Sequence, residues 1–235
     1  MIEADNVTLH YGGSQILHGV SLLAEPGRVT CVMGNNGVGK TSLMNLLAGR
    51  HPRSGGELRL MGESLGRVTA QEMARRGVGY VPQGRAIFPL LTVRENLETG
   101  FGCLPAGDRK VPGDIYDSFP VLAEMAGRRG GDLSGGQQQQ LAIARALVIK
   151  PKVLLMDEPT EGIQPNIIAQ IGRVIAALRD RGDMAIVLVE QYFDFAWDLG
   201  DSFSVLERGQ VVMAGPKADL QRDALHNRLA NLAAA

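Results

Sequence analysis

An eight-residue segment at positions 34–41 constrains this chain more than any other part of its sequence. It reads GNNGVGKT and fits the pattern G-x-x-x-x-G-K-[ST], with an apolar run before it and an apolar helical pattern after it. Glycines let successive backbone N–H groups point inward, and the start of the following helix adds the positive end of its dipole. The segment therefore predicts a strand, a tight loop and a helix that together hold a polyphosphate.

The side chains of this loop have distinct predicted tasks. We expect the Lys40 ammonium to reach the β- and γ-phosphates of a nucleoside triphosphate, and the Thr41 hydroxyl to bind Mg²⁺. A glycine turn without a ligand is the alternative interpretation, and the flanking strand and helix argue against it. The other residues that we expect to contact the nucleotide are Gly34, Asn35, Asn36, Gly37 and Gly39 of this segment, and Ser42 directly after it.

Composition narrows the class of protein further. Of the 235 residues, 45% are hydrophobic and 21% are charged, and the formal net charge is -1, which is typical of a globular protein and not of a nucleic-acid binder. The two cysteines are too few for a disulfide framework, and we find neither a secretory leader nor a run of about 18 apolar residues. We therefore expect a cytoplasmic protein that has no nucleic-acid partner and reaches a membrane only through other subunits.

Short apolar runs alternate with helical patterns along most of the chain. Because strands covered on both faces are continuously apolar, this alternation predicts a single α/β domain over residues 1–235, of the P-loop NTPase type, with a largely parallel central sheet. The predicted buried strands cover residues 28–33, 77–81, 153–156 and 185–189, and the predicted helices cover residues 135–149 and 167–181.

Other parts of the chain depart from this rhythm. Residues 2–11 alternate between apolar and polar side chains, which predicts a half-exposed strand in an antiparallel N-terminal edge sheet. Between about residues 84 and 133, four prolines separate short helical patterns, which predicts an inserted helical subdomain. Near the C-terminus we expect a hairpin at 203–206 and 211–214, followed by an amphipathic helix at 219–235 that packs against its own domain.

Asp157 and Glu158 stand directly after the apolar run at 153–156, at the predicted C-terminal end of a central strand. This end of the sheet lies beside the phosphate loop, so we expect Asp157 to be the partner of Mg²⁺, through its second shell, and Glu158 to polarise an attacking water. Two adjacent acids at a strand end can also be ordinary solvated residues or the cap of a helix. Their occurrence together with the phosphate loop favours the catalytic interpretation.

Residues 133–137 read LSGGQ and precede a helical pattern. The serine and the two glycines would leave N–H groups open at a second helix N-terminus, which suits an anion, although a simple N-cap serine is the alternative. The pentapeptide resembles the signature of the ABC ATPase family, and it precedes the strand of Asp157 as in that family. The resemblance implies that Ser134, Gly135, Gly136 and Gln137 of one subunit close on ATP held by the phosphate loop of a second subunit.

The resemblance assigns tasks to two further residues. Tyr11, in the first predicted strand, matches the aromatic residue of the family that stacks on adenine. Gln83 matches the glutamine that senses Mg²⁺ and the γ-phosphate and passes the signal to the helical insertion, where the cytoplasmic helices of membrane permease subunits dock. The implied cofactors are ATP and Mg²⁺, with Thr41, Gln83 and Asp157 around the metal.

Two positions depart from the family pattern. Gln191 follows the strand at 185–189, where most members have a histidine that bonds the γ-phosphate, and a glutamine cannot titrate near neutral pH. Gln164 stands where an aspartate that meets the opposite subunit is common, so we expect a weaker contact there. A regulatory subunit without hydrolysis is the alternative, but Glu158 is present. We therefore expect Glu158, Gln191 and Lys40 to carry catalysis.

The same departures indicate a subgroup of the family. Short ATPase subunits of bacterial branched-chain amino acid and urea importers also replace the histidine by glutamine. The segments 84–89, 161–165 and 190–195 look most like the urea transport ATP-binding subunit. This resemblance makes urea or a short-chain amide the first candidate cargo and branched-chain amino acids the second. The resemblance implies separate permease subunits, a second ATPase subunit that is a sister chain or an identical copy, and indirectly a periplasmic binding protein. It also implies a peripheral position at the cytoplasmic face of the inner membrane.

Two other classes of protein fit less well. A soluble ABC ATPase that acts on DNA or the ribosome usually has two ATPase halves or a long coiled-coil insertion, whereas this chain has one signature and no sustained heptads. A GTPase would need the guanine-reading tetrapeptide N-K-x-D, which is absent. The sequence therefore predicts a transport ATPase subunit.

Overall fold

In the computed structural model, which describes residues 1–234, ten strands form two sheets. The strands are β1 (Ile2–Tyr11), β2 (Ser14–Ala24), β3 (Arg28–Met33), β4 (Gly55–Leu60), β5 (Glu63–Leu65), β6 (Val78–Val81), β7 (Val153–Asp157), β8 (Ala185–Val189), β9 (Ser202–Glu207) and β10 (Gln210–Pro216). A four-stranded sheet has the order β2-β1-β4-β5, and a six-stranded sheet has the order β10-β9-β3-β8-β7-β6. The predicted α/β fold with two sheets is confirmed.

Helices connect and cover these strands. They are α1 (Lys40–Leu47), α2 (Ala70–Arg75), α3 (Val93–Glu98), α4 (Gly113–Ser118), α5 (Pro120–Glu124), α6 (Gly135–Leu147), α7 (Pro165–Asp180), α8 (Phe193–Leu199) and α9 (Arg222–Ala234). The predicted helix at 167–181 begins earlier, at Pro165, because proline suits the first turn of a helix. Shorter 3₁₀ turns lie at Thr99–Cys103, Ala106–Asp108, Gly130–Asp132 and Lys217–Asp219.

The six-stranded sheet forms the middle layer of the domain. Strands β9, β3, β8, β7 and β6 are parallel, and only β10 runs antiparallel, paired with β9. All five residues of β7 and all five of β8 are buried. Leu154 and Met156 of β7 join a core with α6, α7 and α8, whereas Val153 and Leu155 join a core with α1 and the four-stranded sheet. Apolar side chains on both faces explain the continuous apolar runs in the sequence.

The register of the parallel strands places the predicted site residues at one edge of the sheet. Asp157, the last residue of β7, pairs with Val189, the last residue of β8. Strand β8 also pairs with β3, whose last residue Met33 leads into the phosphate loop. Because parallel strands present their carboxyl ends on the same side, the three loops that follow these strands lie next to one another.

The four-stranded sheet contains three strands that the sequence pattern did not predict, β2, β4 and β5. The pairing of β1 with β2 shifts register between Ala4 and Val7 and again beyond it. Asn6 has a positive φ of 49°, and a Cβ on Gly19 would lie only 2.4 Å from the Asn6 Oδ1 atom. Such bulges break the strict alternation by which a half-buried strand is predicted.

The segment between residues 84 and 133 contains α3, α4 and α5 and no strand longer than an isolated bridge between Thr92 and Arg129. Thr92 caps α3 with a capping box in which its hydroxyl accepts from the Glu95 backbone N–H. The apolar side chains of the segment are continuous with the core under α6; they include Val93, Leu97, Ile115, Phe119, Leu122 and Leu133.

The C-terminal part of the chain adds β9 and β10 to the six-stranded sheet and packs α9 against α8. The predicted hairpin is formed by β9 and β10. The final helix α9 begins at Arg222, three residues later than predicted, because Lys217–Asp219 form a 3₁₀ turn. Leu225 of α9 is fully buried in the main core, and the His226 ring lies 4.7 Å from the Phe193 ring. The helix therefore packs against its own domain; residue 235, the predicted end, lies outside the described residues.

Candidate functional site

The loop between β3 and α1 has a backbone that only glycine allows. Gly34, Gly37 and Gly39 have φ angles of 146°, 79° and 108°. A Cβ on Gly34 would lie 2.3 Å from the Leu206 carbonyl oxygen, and one on Gly39 would lie 2.9 Å from a methyl group of Leu17. The helix α1 starts at Lys40 with Gly39 as its N-cap, so no side chain covers its first N–H groups. This is the geometry of a helix N-terminus that accepts an anion.

Lys40 is buried, with 5% of its surface exposed. Its Nζ atom donates to the carbonyl oxygens of Gly34 and Asn35, each at 2.8 Å, and lies 3.5 Å from a Glu158 carboxylate oxygen. Burial lowers the pKa of Lys40, and the negative charge of Glu158 opposes that shift. The ammonium is therefore held inside the loop, with its charge balanced by the carboxylate of Glu158, which follows β7.

The Asp157 carboxylate is buried at the end of β7. Only 1% of its surface is exposed, and neither carboxylate oxygen makes a hydrogen bond of acceptable geometry to any residue that the structure describes. Burial raises its pKa to about 6, against the lowering effect of the nearby Thr41 hydroxyl. An unpartnered buried carboxylate is unfavourable unless a cation completes it. A carboxylate, a hydroxyl and the Gln83 amide are the oxygen donors that Mg²⁺ prefers, so these residues fit the metal.

The Glu158 carboxylate joins three of the predicted site residues. Gln83 Nε2 donates to one of its oxygens at 3.1 Å, Gln191 Nε2 donates to the other at 2.7 Å, and Lys40 Nζ approaches at 3.5 Å. Glu158 is itself mostly buried and has a positive φ of 51°, which is uncommon for a residue other than glycine. The strained backbone and the three polar contacts fix its carboxylate at the edge of the sheet.

Two glutamines extend this network. The Gln191 Nε2 atom also donates to Asn36 Oδ1 at 2.7 Å, which links the loop after β8 to the phosphate loop. The Gln83 Nε2 atom also donates to Glu161 Oε2 at 3.1 Å. The loops that follow β3, β6, β7 and β8 are thus connected through one set of hydrogen bonds around Glu158.

The signature segment forms a separate helix N-terminus. Ser134 caps α6 with a capping box, since its hydroxyl accepts from the Gln137 N–H at 3.3 Å and the Gln137 side chain accepts from the Ser134 N–H at 2.9 Å. These two residues thus hydrogen-bond to each other and not to the phosphate loop of the same chain. Cβ atoms on Gly135 and Gly136 would lie 3.0 Å from the Arg85 guanidinium and from the Ile167 side chain, respectively.

Tyr11 lies at the end of β1 with 43% of its surface exposed. Its ring contacts the His51 ring edge-on, at 4.4 Å between centroids and 65° between planes. An exposed aromatic face with a supporting neighbour suits stacking on a planar ligand. The sequence pattern gave no indication of the His51 contact, because the two residues lie far apart in the chain.

Glu190 is the main polar residue of this edge that the sequence interpretation missed. It is 2% exposed and accepts three backbone N–H groups, from Thr160, Gln191 and Tyr192. Burial raises its pKa to about 7, against the lowering effect of hydrogen bonds from the Thr160 hydroxyl and from these backbone N–H groups. Its sequence signal was an acid directly after a fully apolar strand, the same signal that indicated Asp157.

The glycine loop, the cationic Lys40 and the acids at the end of β7, on a parallel sheet, define a P-loop nucleoside triphosphatase. Residues 17–161 match the family model described as ABC transporter, and the chain belongs to this family. It is 41% identical over 214 residues to the high-affinity branched-chain amino acid transport ATP-binding protein BraG of Pseudomonas aeruginosa, with 91% of each chain covered. It is 34% identical over 222 residues to the Fe(3+) ions import ATP-binding protein FbpC 2 of Rhodococcus jostii, with 93% of this chain and 63% of the relative covered.

Solved structures agree in fold. A nucleotide-free ATP-binding cassette from an ABC transporter matches with a TM-score of 0.84 at 24% identity, covering 98% of this chain and 95% of the other. A dimeric cassette in a post-hydrolysis state, bound to ADP and Pi, matches with a TM-score of 0.80 at 25% identity, covering 92% and 99%.

Membership of the family establishes the predicted activity in general terms. Cassettes of this kind bind ATP with Mg²⁺, hydrolyse it to power transport, dimerise, and work with membrane permease subunits. Within residues 1–234, no helix has the length and apolar character needed to cross a bilayer.

Proposed function

We propose that this chain is the ATPase subunit of an importer in the branched-chain amino acid and urea group, with Glu158 as the catalytic base. The observation that carries the catalytic proposal is the convergence of Lys40, Gln83 and Gln191 on the Glu158 carboxylate at the edge of the phosphate loop. A carboxylate fixed by three partners from different loops is preorganised for one orientation of a water molecule.

The phosphate loop supplies the binding step. The open N–H groups at the start of α1 and the Lys40 ammonium would hold the phosphates of ATP, with Asn35, Asn36 and Ser42 around them and Tyr11 stacked on adenine. The Lys40 bonds to two loop carbonyls keep the ammonium inside the loop before ATP arrives. Thr41, Asp157 and Gln83 would hold Mg²⁺, which neutralises charge on the phosphate oxygens when it is bound.

Hydrolysis follows from the position of Glu158. A water oxygen forms a bond to the γ-phosphorus, the bond between this phosphorus and the bridging oxygen breaks, and ADP leaves with the bond's electron pair. Glu158 accepts the proton of the water, while Lys40 and the uncharged amide of Gln191 stabilise the oxygens of the transferring phosphoryl group. No titrating group at position 191 is needed for this step.

The second subunit completes the site. Ser134 and Gln137 satisfy each other within their own capping box, so the remaining open N–H groups of the α6 N-terminus can face the γ-phosphate of ATP on a facing subunit. Gly135 and Gly136 allow that approach because neither carries a side chain. The facing subunit is a sister ATPase or an identical copy.

The permease subunits would dock on the segment between residues 84 and 133, which we propose acts as an inserted helical subdomain. Phe88 and Leu90 are 48% and 79% exposed and lie shortly after Gln83. The fully buried Asn96 holds their loop, since its side chain donates to the carbonyls of Phe88, Leu91 and Thr92 and accepts from the Phe88 N–H. An exposed apolar pair on a fixed loop suits a protein contact. The subunit would then lie peripherally at the cytoplasmic face of the membrane.

Two observations bear on the cargo. The 41% identity to BraG over 91% of both chains supports branched-chain amino acids. The segments 84–89, 161–165 and 190–195 resemble a urea transport ATP-binding subunit and support urea. Uptake of labelled leucine and of labelled urea by vesicles that contain the chain, its permeases and the binding protein separates the two.

Mg²⁺-dependent ATP hydrolysis by the purified chain, alone and with an equimolar sister ATPase, tests the motor proposal. A rate per subunit that rises steeply with the chain's own concentration supports a self-assembled pair of sites. Activity that needs the sister subunit makes the heterodimer the working unit. Absence of hydrolysis in both mixtures, with ATP still bound, contradicts the assignment of Glu158.

A further inference from the structure

We propose that Glu190 is a positioning residue for hydrolysis, which joins the loop of Glu158 to the loop of Gln191 so that the two catalytic side chains keep their mutual geometry. This inference rests on the proposed function, because it takes Glu158 and Gln191 as the groups that act on the γ-phosphate. Glu190 itself does not contact the nucleotide in this scheme.

The contacts of Glu190 run in two directions. Its Oε1 atom accepts from the Thr160 N–H at 3.1 Å, in the loop that follows Glu158. Its Oε2 atom accepts from the N–H groups of Gln191 at 3.1 Å and Tyr192 at 3.3 Å. One carboxylate therefore holds the backbone of both the loop after β7 and the loop after β8.

These contacts close a ring around the reacting groups. Gln191 donates its side-chain N–H to Glu158 at 2.7 Å, and its backbone N–H goes to Glu190. Glu190 in turn holds the Thr160 backbone, which lies two residues after Glu158 in the chain. The distance between the Glu158 and Gln191 side chains is thus fixed both directly and through the backbone of the two loops.

The carboxylate chemistry of Glu190 is needed for this ring. Three N–H donors converge on it, and only a side chain with two acceptor oxygens can serve donors from two loops. A glutamine would offer one oxygen, and its NH₂ group would face an N–H donor. Burial works against a negative charge at this place, so a side chain that only filled space would be apolar.

The loop that Glu190 holds on one side also leads toward the second subunit. Thr160 is followed by Glu161, which accepts from Gln83, and by Gln164, at the position expected to meet the facing subunit. Glu190 therefore connects Gln191 to the loop that would contact the second subunit when the dimer closes. Closure of the dimer and alignment of Gln191 become one coupled movement.

Steady-state ATP hydrolysis by the full-length chain, with the sister subunit if activity needs it, tests the proposal through Glu190→Gln and Glu190→Asp. We expect Glu190→Gln to lower kcat by roughly 10- to 100-fold while the KM for ATP changes by less than about 3-fold, because the groups that bind the phosphates are untouched. Glu190→Asp keeps both oxygens and is expected to recover part of the rate.

Asp201→Asn is the matched control. Asp201 Oδ2 also accepts a backbone N–H, from Val29 at 2.8 Å, but at the opposite end of β3, away from the site. A thermal melt of each variant measures loss of folding. Loss of kcat in Glu190→Gln, with kcat retained in an Asp201→Asn variant of equal or lower Tm, supports the positioning role.

A double-mutant cycle with Gln191→Ala gives a second readout. If both residues act through the same geometry, the double variant loses less than the product of the two single losses. Full kcat in Glu190→Gln, or losses that multiply independently, would overturn the inference. Glu158→Gln is measured in parallel: if it also hydrolyses ATP at the parent rate, the proposed function fails, whereas its inactivity beside a fully active Glu190→Gln rejects only the role of Glu190.

Discussion

Gln191 Nε2 donates a 2.7 Å hydrogen bond to the carboxylate of Glu158, and the two residues lie 33 positions apart in the chain. They meet because β7 and β8 are adjacent parallel strands whose last residues, Asp157 and Val189, are in register. An uncharged amide therefore contacts the proposed catalytic base. The uncharged contact has consequences that kinetics can measure.

Replacing Glu158 by glutamine removes the proposed base and keeps the size of the side chain. We expect ATP binding to be retained and the hydrolysis rate to fall by about 100-fold or more, because no group accepts the proton of the attacking water. The unhydrolysed ATP should hold a closed dimer, detected by size-exclusion chromatography with ATP and Mg²⁺. Asp201→Asn, which makes the same change from carboxylate to amide away from the site, is the control and should hydrolyse ATP at close to the parent rate.

The amide at position 191 predicts the pH dependence of the rate. A glutamine does not titrate, so it should add no inflection to kcat between pH 6 and 8, whereas Gln191→His should introduce one near the ordinary histidine pKa of about 6.5. Gln191→Ala should lower kcat at every pH in this range. Profiles of kcat against pH for the three proteins provide the measurement. An inflection that is present in the parent and absent from Gln191→Ala would contradict the expectation, whereas an inflection shared by both proteins arises from another group of the site.

Replacing Asp157 by asparagine should raise the free energy of unfolding and weaken metal binding. The two carboxylate oxygens of Asp157 have no hydrogen bond of acceptable geometry within residues 1–234, and burial outweighs the lowering effect of Thr41 and Lys40 on its pKa, so Asp157→Asn removes an incompletely compensated buried charge. We expect the metal-free variant to be more stable by about 1–3 kcal/mol in urea unfolding. The same variant should lose the gain in nucleotide affinity that Mg²⁺ gives the parent, as measured by titration with and without the metal. A less stable variant that keeps the Mg²⁺ effect would contradict both parts.

Glu190 should contribute a measurable pH dependence of folding. Its folded-state pKa is raised from the ordinary 4.5 to about 7, so the folded chain binds more protons than the unfolded chain between these values. The contribution of this group therefore favours folding below pH 4.5 and is lost as the pH rises toward 7, by about 3 kcal/mol in total. Urea unfolding of the parent and of Glu190→Gln across pH 5 to 8 should show a steeper decline for the parent, and parallel curves would contradict the shift.

The sequence alone predicted the strands of the central sheet to within one or two residues, together with the hairpin near the C-terminus. Continuous apolar runs such as 185–189 predict these strands well, because both faces of each strand are covered and every side chain is apolar. The N-terminal sheet was mostly missed beyond β1, since bulges at Asn6 and Gly19 interrupt the alternation. The final helix was started three residues early, because a 3₁₀ turn carries a similar local pattern.

The sequence by itself determined the positions of the phosphate loop, of the acids at the end of β7 and of the signature segment, because each is a local pattern of neighbouring residues. Only the tertiary structure decided that Gln191, Gln83 and Lys40 share the Glu158 carboxylate, and that Glu190 holds Thr160. Those contacts depend on the strand order β3-β8-β7-β6, which places the ends of strands far apart in sequence side by side. Strand order is a property of packing between distant segments, and no local pattern carries it.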